Sequence, residues 1–345
     1  MYLKKRLSVL DFWRFVAACK IMVFHLYRFP DFLSGGVAYE FNSWIYVEFF
    51  FIVTGYLTCK HFIKSQSENI FESGFNYMVK KFTPFLPYVI GVTFIHYIYF
   101  GILNSNGNIS EFVLYFTDFP FESLLIGEIM GGKAALGQMW FLSSMFLTFP
   151  VLLIISQLKN KYLVLFISGW FALFTYGLGI ERSLKGDLTR ALAGMLLGVF
   201  LCELTEILKE KHPVEPSRST RITLTATEVF CLCLAACLTC NWYYDVRKII
   251  LLLFAVGIGI MISGYSYTAK IHSKFLTFLG KMSMPMYIWH WTVFSIIGEC
   301  RHSLGDVWFI VLYFAVTMTL SILSYFIVEF TKSYLKKRKL KNQTV

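Results

Sequence analysis

The sequence predicts an all-α fold, a polytopic integral membrane bundle of about ten transmembrane helices in one domain, residues 1–345. Composition is the first reason: 57% of the residues are hydrophobic and 15% are charged, whereas soluble domains average about 25% charged residues. The second reason is that apolar runs of roughly 20 residues, the length that crosses a bilayer as a helix, alternate with short charged segments. A β-barrel would need strands of half that length with alternating polarity.

Hydropathy along the chain sets the order of the elements. The apolar runs predict membrane spans near residues 9–29, 44–62, 83–103, 138–157, 162–180, 188–206, 222–241, 248–268, 283–300 and 307–328. The connection 104–137 is too apolar for a plain loop and too polar for a span. We expect a re-entrant or interfacial helix there, because irregular backbone at membrane depth is tolerated where it lines a cavity.

The net charge of +11 could indicate a nucleic-acid binder, but the positions of the cations along the chain favour a membrane protein instead. With a cytoplasmic amino terminus, 22 of the 32 lysines and arginines fall in segments predicted to be cytoplasmic, as the positive-inside rule requires. Both termini are therefore expected in the cytoplasm, and the carboxy-terminal residues from about 331 to 345 are expected to form a basic cytoplasmic tail. Membrane lipids are the expected surroundings, and no nucleic-acid partner is expected.

Four cysteines lie together in "CLCLAACLTC", and Cys237 and Cys240 have C-x-x-C spacing. That spacing occurs in metal and redox sites. Here it falls inside an apolar span, with no second pair to complete a tetrahedral site. We interpret these cysteines as packing residues and predict no metal.

The first span carries charges that are costly in a bilayer unless they are paired or face a cavity. Arg14 and His25 are 11 residues apart, which places them within about 20° of one helical face and about 16 Å apart along the axis. Asp11 lies one turn before Arg14. Snorkelling and local hydrogen bonding are the alternatives for each residue alone, and Lys20, on another face, is expected to snorkel or pair locally.

Ionisable residues in two other spans are further candidates. Glu48 needs a cation or a protonated partner in an apolar stretch, and a carboxylate that orients a histidine base would fit His25. Gly55 favours close helix packing. In the ninth span His290 follows Tyr287 by three residues, and the alternative to a functional role is a hydrogen-bonded histidine at a helix interface. Glu329 ends the tenth span, and the alternative there is an ion pair with a nearby lysine.

At these residues the chain resembles acyltransferase family 3, the polytopic membrane O-acyltransferases of bacterial surface polysaccharides. The family pattern of an acidic residue, an arginine three residues on, ten residues and a histidine matches Asp11, Arg14 and His25. "VEFFFIVTGYL" is similar to its second span, with Glu48 where aspartate is common. Further similar segments hold the supporting residues Trp140 and Ser143 ("MWFLSSMFL"), Tyr287 and His290 ("LGKMSMPMYIWH"), and Glu329.

One segment departs from the family pattern. Members often have two arginines three residues apart before a proline, after the second span. Here "VKKFTPFLP" offers Lys80 and Lys81, and Pro84 stands at the second position. Lysine binds phosphate as a point charge without the bidentate fork of arginine. We therefore expect a loop that contributes to donor binding with altered geometry.

The resemblance implies transfer of an acyl group, most often acetyl, from cytoplasmic acyl-CoA to a hydroxyl of a surface polysaccharide, exopolysaccharide or lipid-linked glycan at a bacterial cell membrane. Arg14, Lys80 and Lys81 would hold the donor phosphates, and His25 would act as general base or accept the acyl group first. Glu48 would orient His25. The alternatives are a transporter or flippase of lipid-linked glycans, which predicts repeats and charges on several central helices, and a catalytically silent membrane sensor. The oligomeric state is left open.

Overall fold

The computed structural model describes residues 7–26, 42–64, 69–127, 136–180, 186–239, 246–298 and 301–343. These residues form helices and connecting turns without β-strands. The helices are α1 (Ser8–His25), α2 (Tyr46–Lys64), α3 (Ile70–Phe82), α4 (Leu86–Ser105), α5 (Ile109–Phe116), α6 (Phe119–Ser123), α7 (Met139–Ser156), α8 (Lys161–Leu178), α9 (Gly186–Lys211), α10 (Arg218–Leu238), α11 (Arg247–Ser263), α12 (Lys274–Ile297), α13 (Arg301–Leu304) and α14 (Asp306–Gln343). A 3-10 turn, Asn42–Ile45, leads into α2.

The predicted all-α class is confirmed, and within the described ranges a long helix lies at each of the ten predicted spans. Six of the described helices are long and apolar enough to cross a membrane: Leu86–Ser105, Met139–Ser156, Lys161–Leu178, Asp187–Lys211, Arg218–Leu238 and Asp306–Lys337. These helices indicate a multi-pass membrane protein. The count of ten crossings and the side on which the termini lie stay predictions.

Several helices differ from the hydropathy reading. The helix α9 continues to Lys211, and α14 continues through the basic tail to Gln343, with residues 344–345 outside the described ranges. Lysine, arginine and glutamate favour helix as strongly as most apolar residues, so a helix continues where an apolar run has ended. The segment 104–137 contains the short helices α5 and α6, and its residues 128–135 lie outside the described part of the chain.

The cysteine segment lies on α10. Cys231 is buried, as a packing residue should be, whereas Cys233 and Cys237 are exposed on the helix surface. The packing interpretation therefore holds for Cys231 and is wrong for the two exposed residues, because the helix turns their side chains away from its neighbours. Cys240, which completes the C-x-x-C spacing, lies outside the described residues.

The described helices fall into two compact units, Met1–Lys80 with Phe141–Gly280, and Lys81–Trp140 with Lys281–Val345. In the first unit α2 and α9 pack backbone to backbone. A Cβ on Gly55 would overlap the Met195 carbonyl oxygen, and one on Gly198 would lie 2.7 Å from the Tyr56 nitrogen. Small residues let membrane helices approach closely, so the packing role predicted for Gly55 is confirmed.

The helices α2 and α9 run in the same direction. Glu48 meets Arg190 near the start of both helices, and Cys59 donates to Glu203 over 3.4 Å further along both. Parallel neighbours agree with the predicted second and sixth spans, which cross in the same sense. This packing positions the carboxylate of the second span.

In the second unit α12 and α14 pack side by side in opposite directions. Trp289 donates to the Ser324 hydroxyl over 3.2 Å, and further along α12 the Phe294 ring lies 5.8 Å from the Tyr313 ring. The two contacts pair increasing positions on α12 with decreasing positions on α14. This interface buries the middle of α12, where His290 lies.

Candidate active site

The stripe of α1 predicted to carry function faces the interior of the first unit. Ala18 and Ile21, which lie between Arg14 and His25 on that face, are 1% and 2% exposed. His25 ends the helix, and its ring packs edge-on against Phe24 at 5.2 Å. Because the residues between them are buried, the Arg14–His25 face looks toward protein along its middle part.

Asp11 holds Arg14 at the amino-terminal end of that stripe. Their side chains form an ion pair, Nη1 to Oδ1, of 3.3 Å. Asp11 is 4% exposed, and Gly280 on α12 covers it: a Cβ on Gly280 would lie 2.6 Å from Asp11 Oδ1. Arg14 keeps a 21% exposed side chain. The carboxylate is thus fixed by packing, while the arginine side chain is only partly buried.

Lys20 has a partner that the sequence did not indicate. Its Nζ donates to the Ala236 carbonyl over 3.1 Å, and the Thr239 hydroxyl donates to the same oxygen over 2.8 Å. Ala236 lies in the last turn of α10, where carbonyls have no intrahelical donors and the helix dipole favours a cation. Lys20 therefore caps a neighbouring helix through a partner that is distant in sequence, rather than the local partner expected for it.

Glu48 lies in a closed polar cluster between three helices. It is 0% exposed and accepts a 2.6 Å hydrogen bond from the Tyr176 hydroxyl of α8. Its other oxygen forms an ion pair with Arg190 Nε of α9, and both partners are at least nine-tenths buried. Gly194 makes space for the carboxylate, because a Cβ at this position would lie 3.1 Å from Glu48 Oε2. A buried carboxylate is tolerated when a cation and hydrogen bonds satisfy it.

Sequence reasoning missed Arg190 and Tyr176 as site residues, because it counted Arg190 among the cations outside the spans. A signal was present: Arg190, Gly194 and Gly198 recur every four residues, which places the arginine on the same face as the two glycines that meet α2. The pairing of Glu48 with His25 stays a prediction.

The other predicted residues divide between the units. Ser143 is buried in the first unit. Lys80 and Lys81 lie on the last turn of α3, so the expectation of a loop there is wrong: the sequence 70–82 has helical periodicity, which a hydropathy count of spans does not detect. Lys80 is exposed and Lys81 is half-buried.

In the second unit Tyr287 and His290 belong to one hydrogen-bonded chain. His290 Nδ1 donates to the Tyr287 carbonyl over 2.5 Å, and the Tyr287 hydroxyl donates to the Gln138 carbonyl over 2.7 Å. Gln138 in turn donates to the Ile288 carbonyl over 3.0 Å. This network ties the start of α7 to the middle of α12 and engages His290 through Nδ1, and a supporting role of Tyr287 and His290 in catalysis stays a prediction.

Trp140 and Glu329 complete the predicted set. Trp140 is half-buried on the first turn of α7. Glu329 is exposed and pairs with Lys332 over 3.0 Å, the local partner anticipated for it. Within the described ranges, no group of three or more His, Cys, Asp or Glu side chains is arranged to hold a metal ion.

Comparison with known proteins places the chain in a family. The family model described as "Acyltransferase domain", from acyltransferase family 3, matches residues 7–326. The chain belongs to acyltransferase family 3. It is therefore an acyltransferase by family, and this assignment favours the enzyme over the transporter and sensor alternatives.

Individual relatives agree with that assignment. The chain is 24% identical to provisionally named O-acetyltransferases of Staphylococcus aureus strains COL and N315, over 84% of this chain and 50% of the relative. It is 23% identical to the peptidoglycan O-acetyltransferase OatA of Listeria monocytogenes, over 95% of this chain and 56% of the relative. The chain spans about half the length of these relatives. No solved structure matches it.

Proposed function

We propose that this membrane acyltransferase transfers an acyl group, acetyl by the names of its relatives, from cytoplasmic acyl-CoA to a hydroxyl of a surface polysaccharide or lipid-linked glycan. The observation that carries the proposal is the inward stripe of α1. It presents a partly open arginine and a histidine on one face of a family 3 chain, about 16 Å apart along the axis. A pantetheine arm has a length of the same order.

Arg14 is the proposed ligand of the donor phosphates. The ion pair with Asp11 orients the guanidinium, whose side chain is 21% exposed, and a planar guanidinium has the geometry that suits phosphate. Of the two lysines on α3, Lys81 is the better second candidate because it is half-buried, whereas Lys80 is exposed.

His25 is the proposed catalytic residue. In direct transfer, an imidazole nitrogen takes the proton of the acceptor hydroxyl while its oxygen attacks the thioester carbonyl. The carbon–sulfur bond then breaks, and the departing thiolate receives the proton. In the alternative route the imidazole attacks the thioester carbonyl, the carbon–sulfur bond breaks and the thiolate takes the proton of the ring. The acceptor hydroxyl then attacks the acyl-imidazole and returns its proton to the ring as the ester forms. Both routes need the neutral imidazole.

Glu48 is proposed to act on His25 by position and charge. Its two oxygens are engaged by Tyr176 and Arg190, one by each partner. A carboxylate held in this way is suited to stabilising a nearby imidazolium, and it is poorly suited to carrying a proton itself. We therefore regard Glu48 as a positioning residue for α2 and for His25.

The test is acetyl transfer by the full chain in membranes, with radiolabelled acetyl-CoA as donor. Separate reactions would offer peptidoglycan fragments and the surface polysaccharide of the producing cell as acceptors. We expect the transfer rate to fall at least a hundredfold in His25→Ala and His25→Gln. His272→Ala changes an exposed histidine of the same unit and should keep the wild-type rate. Glycan labelling that survives in His25→Ala would sink the assignment.

A further inference from the structure

The helix α3 has two faces of different character. Phe71, Phe75 and Val79 are 85%, 61% and 44% exposed, and their spacing of four residues places them in one stripe along the helix. Large apolar side chains in a continuous exposed stripe mark a surface that contacts another apolar phase or a partner. The stripe therefore needs an occupant.

The opposite face of α3 is fixed to the ends of two other helices. A Cβ on Gly74 would lie 3.5 Å from the Leu153 side chain of α7. The Tyr77 ring stacks on the His61 ring of α2 at 4.3 Å, and burial raises the pKa of the Tyr77 hydroxyl. His61 and Leu153 lie in the last turns of their helices. Thus α3 runs past the level at which α7, one of the six candidate spans, ends.

Length and charge then restrict how α3 meets the membrane. Its 13 residues rise only about 20 Å, short of the roughly 30 Å hydrocarbon core, so α3 cannot cross. Glu72, Asn76 and Lys80 form a second exposed stripe, next to the apolar one. A short helix with adjacent apolar and polar exposed stripes is typical of one that lies in the interface plane.

We propose that α3 is a membrane-surface anchor, with Phe71, Phe75 and Val79 in the headgroup–acyl boundary and Lys80 bound to the phosphate of an anionic lipid. Lys81 follows Tyr77 by four residues and so falls on the inner face. The two adjacent lysines therefore have different partners, and Lys80 does not serve the acyl donor. Anionic lipid is chosen over a second protein copy because the stripe lies at a span end and carries a lysine beside it.

Photocrosslinking tests the occupant of the stripe. The full chain would carry benzoylphenylalanine in place of Phe75 or, as the matched inner-face control, in place of Tyr77, in nanodiscs of phosphatidylcholine and phosphatidylglycerol. We expect lipid adducts from position 75 and adducts within the chain from position 77. A chain-to-chain adduct at position 75 would show that a second copy of the chain covers the stripe. The absence of any lipid adduct at that position would show that the stripe faces water. Either result overturns the anchor.

Lipid selectivity tests the role of Lys80. We expect Lys80→Gln to retain phosphatidylglycerol about fivefold more weakly, the factor that one basic residue near an anionic surface contributes, by native mass spectrometry. Lys332→Gln, at an exposed lysine paired with Glu329, is the control and should retain it as the wild type does. Unchanged retention in Lys80→Gln, with a raised KM for acetyl-CoA, would return Lys80 to the donor site. The crosslinking and lipid-retention readouts do not depend on the proposed acetyl transfer; only the KM comparison does.

Discussion

Two arginine–carboxylate pairs in the first unit have the same chemistry and opposite settings. Glu48 and Arg190 join two helices, α2 and α9, and their side chains are 1% and 8% exposed. Asp11 and Arg14 lie three residues apart on one helix, and the arginine side chain is 21% exposed. The first pair has a further donor, Tyr176, on a third helix.

The difference shows how burial separates structural charges from ligand-binding charges. The Glu48 carboxylate is buried and engaged by donors on two other helices, so the Glu48 pair helps to fix the register of three helices. The Asp11 pair is buried on the carboxylate side only, which leaves the arginine oriented and partly open. In the proposed function, the Asp11–Arg14 pair is the one assigned to the donor phosphate.

Breaking the closed pair should have the largest effect. Arg190→Ala leaves Glu48 buried without its cation, and loss of one partner of a buried pair typically costs about 3–5 kcal/mol. We expect a large fall in the melting temperature of the purified protein and little folded material in detergent. Thermal unfolding followed by size-exclusion chromatography measures both.

Two further variants make that prediction sharper. Tyr176→Phe removes one hydrogen bond and should lower the melting temperature less than Arg190→Ala, since the ion pair persists. The double variant Glu48→Leu with Arg190→Leu should recover part of the loss, because apolar replacement of a buried pair is often tolerated. Arg190→Ala with wild-type stability would show that the pair does not hold α2 and α9 together.

Opening the partly exposed pair should change donor binding more than stability. Arg14→Ala removes a proposed phosphate ligand, so we expect the KM for acetyl-CoA to rise about tenfold, or about 1.4 kcal/mol. The melting temperature should fall less than in Arg190→Ala, because the arginine side chain is 21% exposed and the pair lies within one turn of a single helix, whereas Glu48 and Arg190 are both buried and join two helices. The KM of Arg14→Lys should lie between those of the wild type and Arg14→Ala, because lysine keeps the charge but lacks the two-pronged guanidinium.

The matched control breaks a similar pair elsewhere. Arg301 pairs with Asp306 over 2.9 Å in the second unit, and its side chain is 11% exposed. Arg301→Ala should leave the KM for acetyl-CoA unchanged. A large fall in the melting temperature of Arg14→Ala, with an unchanged KM for acetyl-CoA, would show that Arg14 is structural like Arg190. The contrast between the two pairs would then be lost.

The same contrast explains what the sequence could predict. The positions of the long helices, the inward stripe of α1 and the close approach at Gly55 follow from local periodicity and residue size, which a single segment contains. The partner of Glu48 lies 142 positions away, and Lys20 reaches Ala236 across 216 positions. No local pattern encodes such pairs, because they depend on which helices become neighbours. The helix α3 was missed for another reason: its periodic Phe71, Phe75 and Val79 carry the signal, but a search for continuous apolar runs passes over it.

Lys20 offers the smallest test, on a cation whose Nζ donates to the Ala236 carbonyl at the end of α10. Lys20→Met keeps an unbranched side chain and removes the charge at the end of α10. A cation at a helix carboxyl terminus contributes about 0.3–1 kcal/mol, so we expect a small fall in melting temperature with no change in the KM for acetyl-CoA. Hydrogen exchange should locate the loosening in the last turn of α10, near Ala236. A loss of transfer activity with unchanged exchange there would instead place Lys20 beside Arg14 in the donor site, and α1 would then present two cations to the donor.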